Sequence, residues 1–327
     1  MNTFGNLFRV SVFGESHGRA VGVTIDGCPA GIDISAADFS EDLDRRRSGR
    51  KGTTSRKETD LPEILSGIYK GKTNGAPITA ISWNSDVDSS SYENNATIPR
   101  PGHADFVANL KYSGFSDLRG GGHFSGRITW GLVVAGVIAK KIISPAVVSA
   151  RLTEAGGQAD IEQAVNEALI RGDSIGGIIE CKVEKPLQGL GEPFFYSVES
   201  AISQLIFSIP AIKGIEFGAG FAAAKMKGSE HNDPFIDSSG RTGTNNAGGV
   251  NGGLTNGNEV VLRVVVKPTS STGVDQKTFD FGKGELTTLQ VKGRHDICIA
   301  LRIPVIVEAA VAIALSDLDL INRGINR

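Results

Sequence analysis

Between residues 300 and 320 the chain reads ALRIPVIVEAAVAIALSDLDL, and over 303–315 the one charge is Glu308. A helix this apolar has no water-facing stripe, so the segment predicts a helix buried on all sides in a core. A second mostly apolar run spans 131–143. The apolar runs 131–143 and 303–315 both fall short of a membrane span, and Glu308 sits inside the second. The 327 residues suit one large domain or two small ones. No sharp linker and no period of 20–50 residues divides them, so a single domain over 1–327 is expected.

Around that core the pattern mixes strands and helices. Strands are expected at 7–13 and 21–26, with Gly14 and Gly18 in the turn between them. A helix over 35–47 starts on Ser35, with early acids and late arginines that suit the helix dipole. Segments 64–69 and 78–83 read as strands paired across a Lys-Thr-Asn-Gly turn. Further helices are expected at 104–112, 126–143, 161–171 and 198–207, and strands at 178–183 and 260–266. The polar segments 48–60, 84–101 and 231–258 read as long loops, which are often functional. The pattern is that of an α/β or α+β chain, and it leaves the strand order open.

Charge narrows the function. There are 34 Lys+Arg against 36 Asp+Glu, a formal net charge of -2, which argues against a generally basic nucleic-acid or membrane-surface protein. Three scattered cysteines with no CxxC offer neither a disulfide framework nor a thiolate zinc site. The opening MNTFGNLFRVSVFGE lacks a basic segment followed by an apolar one, so a soluble, cytoplasmic protein is expected. Glycine is abundant, 42 residues, clustered at 120–122 and 248–257. Tight turns and close backbone approach to a ligand both produce such clusters.

Histidine and arginine carry the most specific signals. Of the five histidines, His17 in GESHG, His103 in RPGHAD, His231 in GSEHND and His295 in GRHD lie in glycine-bearing turns beside charged residues, and His123 lies in GGGHFSG. That setting favours proton transfer near neutral pH. No HxH or HExxH pair supports a metal. Segment 45–57, RRRSGRKGTTSRK, holds seven basic residues and no acid. It reads as a solvated loop, a nucleic-acid patch or a clamp for a small polyanion. The patch is disfavoured because no aromatics interleave, whereas arginine binds carboxylate and phosphate bidentately. Arg100, Arg119, Arg127 and Arg294 add cations beside the histidines. Lys267-Pro268-Thr269-Ser270-Ser271, after the 260–266 strand, suits either a phosphate or an ordinary polar turn.

Taken in order, FGESHG (13–18), DLDRRR (42–47), EILSGIYKGKTNGAPI (63–78), RPGHAD (100–105), RGGGHFSGR (119–127), NNAGGVNGGLTNG (245–257), KPTSS (267–271) and GRHDICIALRIPVIVEA (293–309) resemble the blocks of the chorismate synthases. The resemblance spans residues 4–318. It implies an α+β fold, a β-α-β sandwich with antiparallel sheets around a helical core, assembled as a homotetramer. It implies conversion of 5-enolpyruvylshikimate 3-phosphate to chorismate and phosphate by trans-1,4 elimination, in the shikimate pathway of aromatic amino acid biosynthesis, with reduced FMN. His17 would assist the leaving phosphate and His103 the reduced flavin, while Asp296 would help flavin N5 receive the C6 proton. Arg46, Arg50, Arg100 and Arg127 would face the substrate, Arg46 also lying in a stretch assigned to nicotinamide contact. Flavin contacts would fall on His123, Phe124, Ser125, Pro210, Ala211, Gly252, Lys267, Pro268, Thr269, Ser270, Ser271 and Arg294. NADPH enters only as a reductant, and with no GxGxxG after a strand an external flavin reductase is expected. Relatives often carry GGRSSARET where this chain has GGHFSGRIT, so His123, Phe124 and Ile128 replace an arginine, a serine and a glutamate. Pro210 replaces an asparagine. Two rival readings are a flavin-binding module without catalysis and an RNA-binding protein using 45–57.

Overall fold

Burying the apolar C-terminal segment sets the layering of the whole molecule. The computed structural model describes residues 1–90, 96–291 and 293–325. The chain begins with strands Thr3–Phe4 (β1), Arg9–Gly14 (β2) and Ala20–Asp26 (β3), followed by helix Ala36–Arg46 (α1). Short strands Glu63–Ile64 (β4), Ile68–Tyr69 (β5) and Lys72–Thr73 (β6) lead to Ile78–Trp83 (β7). Helices Asp105–Lys111 (α2) and Thr129–Ile142 (α3) follow, then Val147–Ala155 (β8), Ile161–Arg171 (α4) and Gly177–Glu184 (β9). Next come Val198–Ser208 (α5), Ile212–Phe217 (β10), Gly228–His231 (α6), Val250–Asn251 (β11), Leu254–Thr255 (β12) and Val260–Val266 (β13). A hairpin of Gln276–Asp280 (β14) and Glu285–Leu289 (β15) precedes the last helix, Pro304–Ile325 (α7).

Two antiparallel sheets enclose the helices. One has the order β1-β2-β3-β7-β4, the other β10-β13-β9-β8. α3 packs on β2 and β3 and on α7; α7 packs on β8, β9 and α5. The result is the β-α-β sandwich that the resemblance implies. Residues Val305 to Asp319 of α7 are all buried, as the absence of a polar stripe demands. Gly136 lets α3 come close: a Cβ there would stand 2.3 Å from that of Ala309.

The polar residues within α7 are all spoken for, as burial requires. Glu308 accepts hydrogen bonds from Arg45 (2.5 and 2.8 Å), Lys140 (2.8 Å) and the Ala150 amide (2.8 Å). Burial pushes its pKa up, but Arg45 and Lys140 outweigh that and hold it below the usual glutamate value. Asp317 accepts the backbone N–H groups of Asn6, Leu7 and Phe8 at 2.7–2.9 Å and the Tyr196 hydroxyl. The first strands are thereby tied to the last helix.

Several local expectations need correction. Segments 64–69 and 78–83 pair antiparallel as expected, with Ile64 opposite Ala80, but a smaller hairpin is inserted between them. Ile68 pairs with Thr73 around a tight turn in which Lys70 has φ 50°, while Ile78–Trp83 pairs with β3 and β4. The helix expected from 126 begins at Thr129, after 3-10 turns at Arg119–Phe124 and Gly126–Ile128. Strands β8 and β10 and the β14–β15 hairpin were hidden because their alternation is weak and is interrupted by charged residues. The long loop 84–101 is described only outside 91–95.

Candidate active site

The connections between these layers converge on a cavity of about 980 Å³. Ten Arg and Lys side chains line it (Arg46, Arg47, Arg56, Lys57, Arg100, Arg127, Lys213, Lys267, Arg294 and Arg302) against four carboxylates (Glu58, Asp60, Asp88 and Asp296). The chain as a whole carries -2. Cations are concentrated where an anion is to be held, and the rest of the surface balances them.

The deepest cations come from two helix boundaries. Arg46 closes α1 one residue after Arg45, so Arg45 turns into the Glu308 network while Arg46 turns to the cavity. Arg127 stands in the 3-10 turn that leads into α3. Asp60 holds both: its Oδ2 accepts Arg46 Nη2 at 2.6 Å, and its Oδ1 accepts Arg127 Nη1. Arg127 also donates to Asn84 (3.0 Å) and Ser82 (3.1 Å). In contrast, Arg46 Nε and Nη1 are buried with no hydrogen-bond partner. Burial lowers the Arg46 pKa to about 10, with Asp60 opposing the shift and Arg302 and Arg127 adding to it. It stays charged at neutral pH, with two N–H donors left for a ligand.

Arg100 is organised differently. It clasps Asp105 through Nε (2.7 Å) and Nη2 (2.8 Å) and donates to Ser271 at 3.0 Å. Asp105 also meets His103 Nδ1 at 2.6 Å. Burial raises the Asp105 pKa, but Arg100 and His103 together hold it far below the usual range. A carboxylate on Nδ1 fixes that ring nitrogen as the protonated one and leaves Nε2 on the side of Gly121. Arg50, expected at the substrate, is exposed and lies outside the cavity lining.

The glycine run explains how two histidines share the cavity. Gly120, Gly121 and Gly122 have φ of 59°, 82° and 54°, a left-handed path that residues with a Cβ rarely follow. A Cβ on Gly120 would lie 2.4 Å from His17 Cδ2, and one on Gly121 3.3 Å from His103 Nε2. His17 Nδ1 meets Ser89 Oγ at 2.9 Å. Burial, then Arg56 and Arg119, lower the His17 pKa below its ordinary value.

Most of the expected flavin-contact residues line the same cavity: His123, Phe124, Ser125, Pro210, Ala211, Lys267 to Ser271, and Arg294. Lys267 Nζ donates to Ser270 Oγ at 2.6 Å, and its pKa is lowered by burial and by Lys213. Thr269 Oγ1 is buried without a hydrogen-bond partner. The His123 ring nitrogens meet the Gly14 carbonyl (2.9 Å) and Asn2 Oδ1 (3.1 Å). Gly252 is elsewhere, on a separate, shallower pocket beside Glu199 and His231. Asp296 accepts the Thr54 amide at 2.9 Å and pairs with Arg302 at 3.2 Å, whereas its sequence neighbour Arg294 pairs with Asp86 at 2.7 Å.

Sequence reading missed Arg56, Asp60, Asp105, Ser89 and Arg302. Asp105, two residues from His103 in the same motif, could have been found as its carboxylate partner. Asp60 gives no local signal, because its two arginines are 14 and 67 residues away. Arg56 lay in the basic segment but was not singled out. It donates to Ser16 Oγ (2.9 Å) and to Glu58 (2.7 Å), beside His17.

Known proteins place this architecture. Residues 8–320 match the family profile described as chorismate synthase. A protein of Chitinophaga pinensis named chorismate synthase is 60% identical, the alignment covering 100% of this chain and 99% of that one. One of Dehalococcoides mccartyi with the same name is 45% identical over 98% and 96%. A crystal structure of chorismate synthase superposes with a TM-score of 0.76 at 26% identity, covering 98% and 94% of the two chains. The chain belongs to the chorismate synthase family, and its activity is that family's lyase reaction.

Proposed function

We propose that the cavity holds 5-enolpyruvylshikimate 3-phosphate against Arg46, Arg100 and Arg127, with reduced FMN along Pro210–Ala211 and Lys267–Ser271, and eliminates phosphate from C3 and hydrogen from C6. The observation that carries this reading is the pair of vacant Arg46 donors in a cavity lined by ten cations and four carboxylates. A substrate with two carboxylates and a phosphate supplies the missing negative charge.

Burial, then the Arg56 and Arg119 cations, disfavour the charged form of His17 in the free protein. A phosphate dianion arriving beside it reverses that balance. The ring then carries a proton where the leaving group departs. His103, its Nδ1 fixed by Asp105, holds a proton position at Nε2 next to Gly121. Asp296, oriented by Arg302 and the Thr54 amide, offers a carboxylate for the proton leaving C6.

FMN fits the residues present. Lys267, Lys213 and the hydroxyls of Thr269, Ser270 and Ser271 suit its phosphate or ribityl chain, and Thr269 Oγ1 has a bond to give. Phe124, Phe207 and Pro210 supply apolar wall for its ring system. When bound, reduced FMN supplies electron density that eases departure of the phosphate. NADPH or an external reductase keeps the flavin reduced. The homotetramer and the cytoplasmic setting belong to the same reading; among the described residues no helix is long and apolar enough to cross a membrane.

An anaerobic assay with reduced FMN tests this, following chorismate absorbance and phosphate release together. One phosphate per chorismate is expected, with no turnover when flavin is omitted. Flavin binding with no turnover would instead favour the non-catalytic flavin module.

A further inference from the structure

We propose that Asp60 is the positioning residue of the anion clamp: it holds the Arg46 and Arg127 guanidiniums apart, charged and aimed, before substrate arrives. The inference rests on the reading of Arg46 as a direct substrate contact. Four observations place Asp60 in this role. Its carboxylate lies between the two guanidiniums, one oxygen on each. It is 2% exposed and Arg46 is 2% exposed, so water does not screen either charge. Its backbone is in the left-handed region, φ 57°, and its carbonyl accepts the Trp130 indole N–H at 2.9 Å, so α3 fixes the turn that aims it. Finally, it uses only Nη2 of Arg46, leaving Nε and Nη1 vacant.

The physical consequence is a split between the two arginines. Each Arg127 guanidinium nitrogen already has a protein partner, Asn84, Asp60 or Ser82, so Arg127 is held fast and adds mainly its field. Arg46 has donors to spare and makes the contact. Without Asp60, two buried guanidiniums would face each other, with Arg302 also near Arg46. Arg46, already lowered to about 10 by burial, would lose the one group that opposes the shift.

The test is equilibrium titration of the full chain with 5-enolpyruvylshikimate 3-phosphate, without flavin, at pH 7.5. Asp60→Asn keeps shape and tolerates the left-handed backbone. It is expected to weaken binding by about tenfold or more, the loss of a charge-assisted contact. Asp60→Glu, which restores the carboxylate, should recover part of that loss. A uniform stability loss would lower the folded fraction and leave the affinity of the folded molecules unchanged. Wild-type affinity in Asp60→Asn would overturn the inference. Arg46→Ala separates the two ideas: undiminished binding there would sink the clamp reading itself. If Asp60→Asn does not fold, Asp60→Asn with Arg127→Gln removes the repulsion. Compared with Arg127→Gln alone, it must still bind more weakly, and equal affinities would overturn the inference.

Discussion

The two ends of the cavity hold their cations in opposite ways. At the Arg46–Arg127 end the guanidiniums are met by the buried carboxylate of Asp60, and Arg100, paired with buried Asp105, bridges to Ser271 of the other end. At the other end, segments 210–213 and 267–271 bring two lysines and three hydroxyls and no carboxylate. A cation with its own counter-ion is oriented by folding and changes little when ligand binds. A cation without one is finished by the ligand, so its affinity should depend more on salt and pH. The proton-handling residues, His17, His103 and Asp296, line the cavity with both.

The sharpest way to break this division is at the proton-handling residues. Asp296→Asn should retain substrate and FMN binding yet lose about 10²–10⁴ in turnover, the usual cost of removing a general base. Turnover near wild type would take Asp296 out of the chemistry. His17→Ala and His103→Ala should each lose roughly 10² in turnover with melting temperature preserved. A large drop in melting temperature in either would mark it as structural. For His17 the sign of the proton linkage is also fixed. Its pKa is lowered in the free protein and raised by a bound dianion, so substrate binding near pH 7 should take up protons. Calorimetric titration in two buffers of different ionisation enthalpy reads that uptake, and His17→Ala should reduce it.

Lys267→Ala sharpens the comparison directly. FMN binding should weaken by about tenfold, with a shallower salt dependence, while substrate affinity without flavin is unchanged. Equal weakening of both ligands would erase the distinction between the two ends. The smallest effect is expected at His123. The sequence places a histidine here where many relatives carry an arginine. In the structure its ring nitrogens meet Gly14 and Asn2, so its polar atoms are already used within the protein. FMN titrations of wild type, His123→Ala and His123→Arg between pH 6 and 8 should differ by less than about threefold, the size of a weak partly exposed contact. A larger pH-dependent gap would restore His123 to the flavin.

What could be read beforehand follows from range. The buried helix near 300–320, the helix opened by Ser35 and the strand 260–266 are set by composition within a few residues, and all three stand. The lining of the site was legible through short glycine-rich motifs, because glycine and histidine in one turn constrain each other locally. Asp60 and the Asp296–Arg302 pair were not, since their meaning depends on which turns face each other. Nor was the position of Gly252, whose glycine-rich segment looks like a ligand loop but packs away from the cavity. The pairing of 64–69 with 78–83 holds at Ile64–Ala80, but the small hairpin inserted between them at 68–73 and the longer pairing of β7 with β3 were not legible.

The grip of Asp317 on Asn6, Leu7 and Phe8 sets a timetable for synthesis. Contacts across 309 to 311 residues cannot form until α7 has been made. α7 is also the surface on which α3, α5 and β8 close. The first sheet already has α3 against it, but the other faces of α3 wait for a helix that does not yet exist. A chain cut short before α7 would lack the interior on which α3, α5 and the second sheet close.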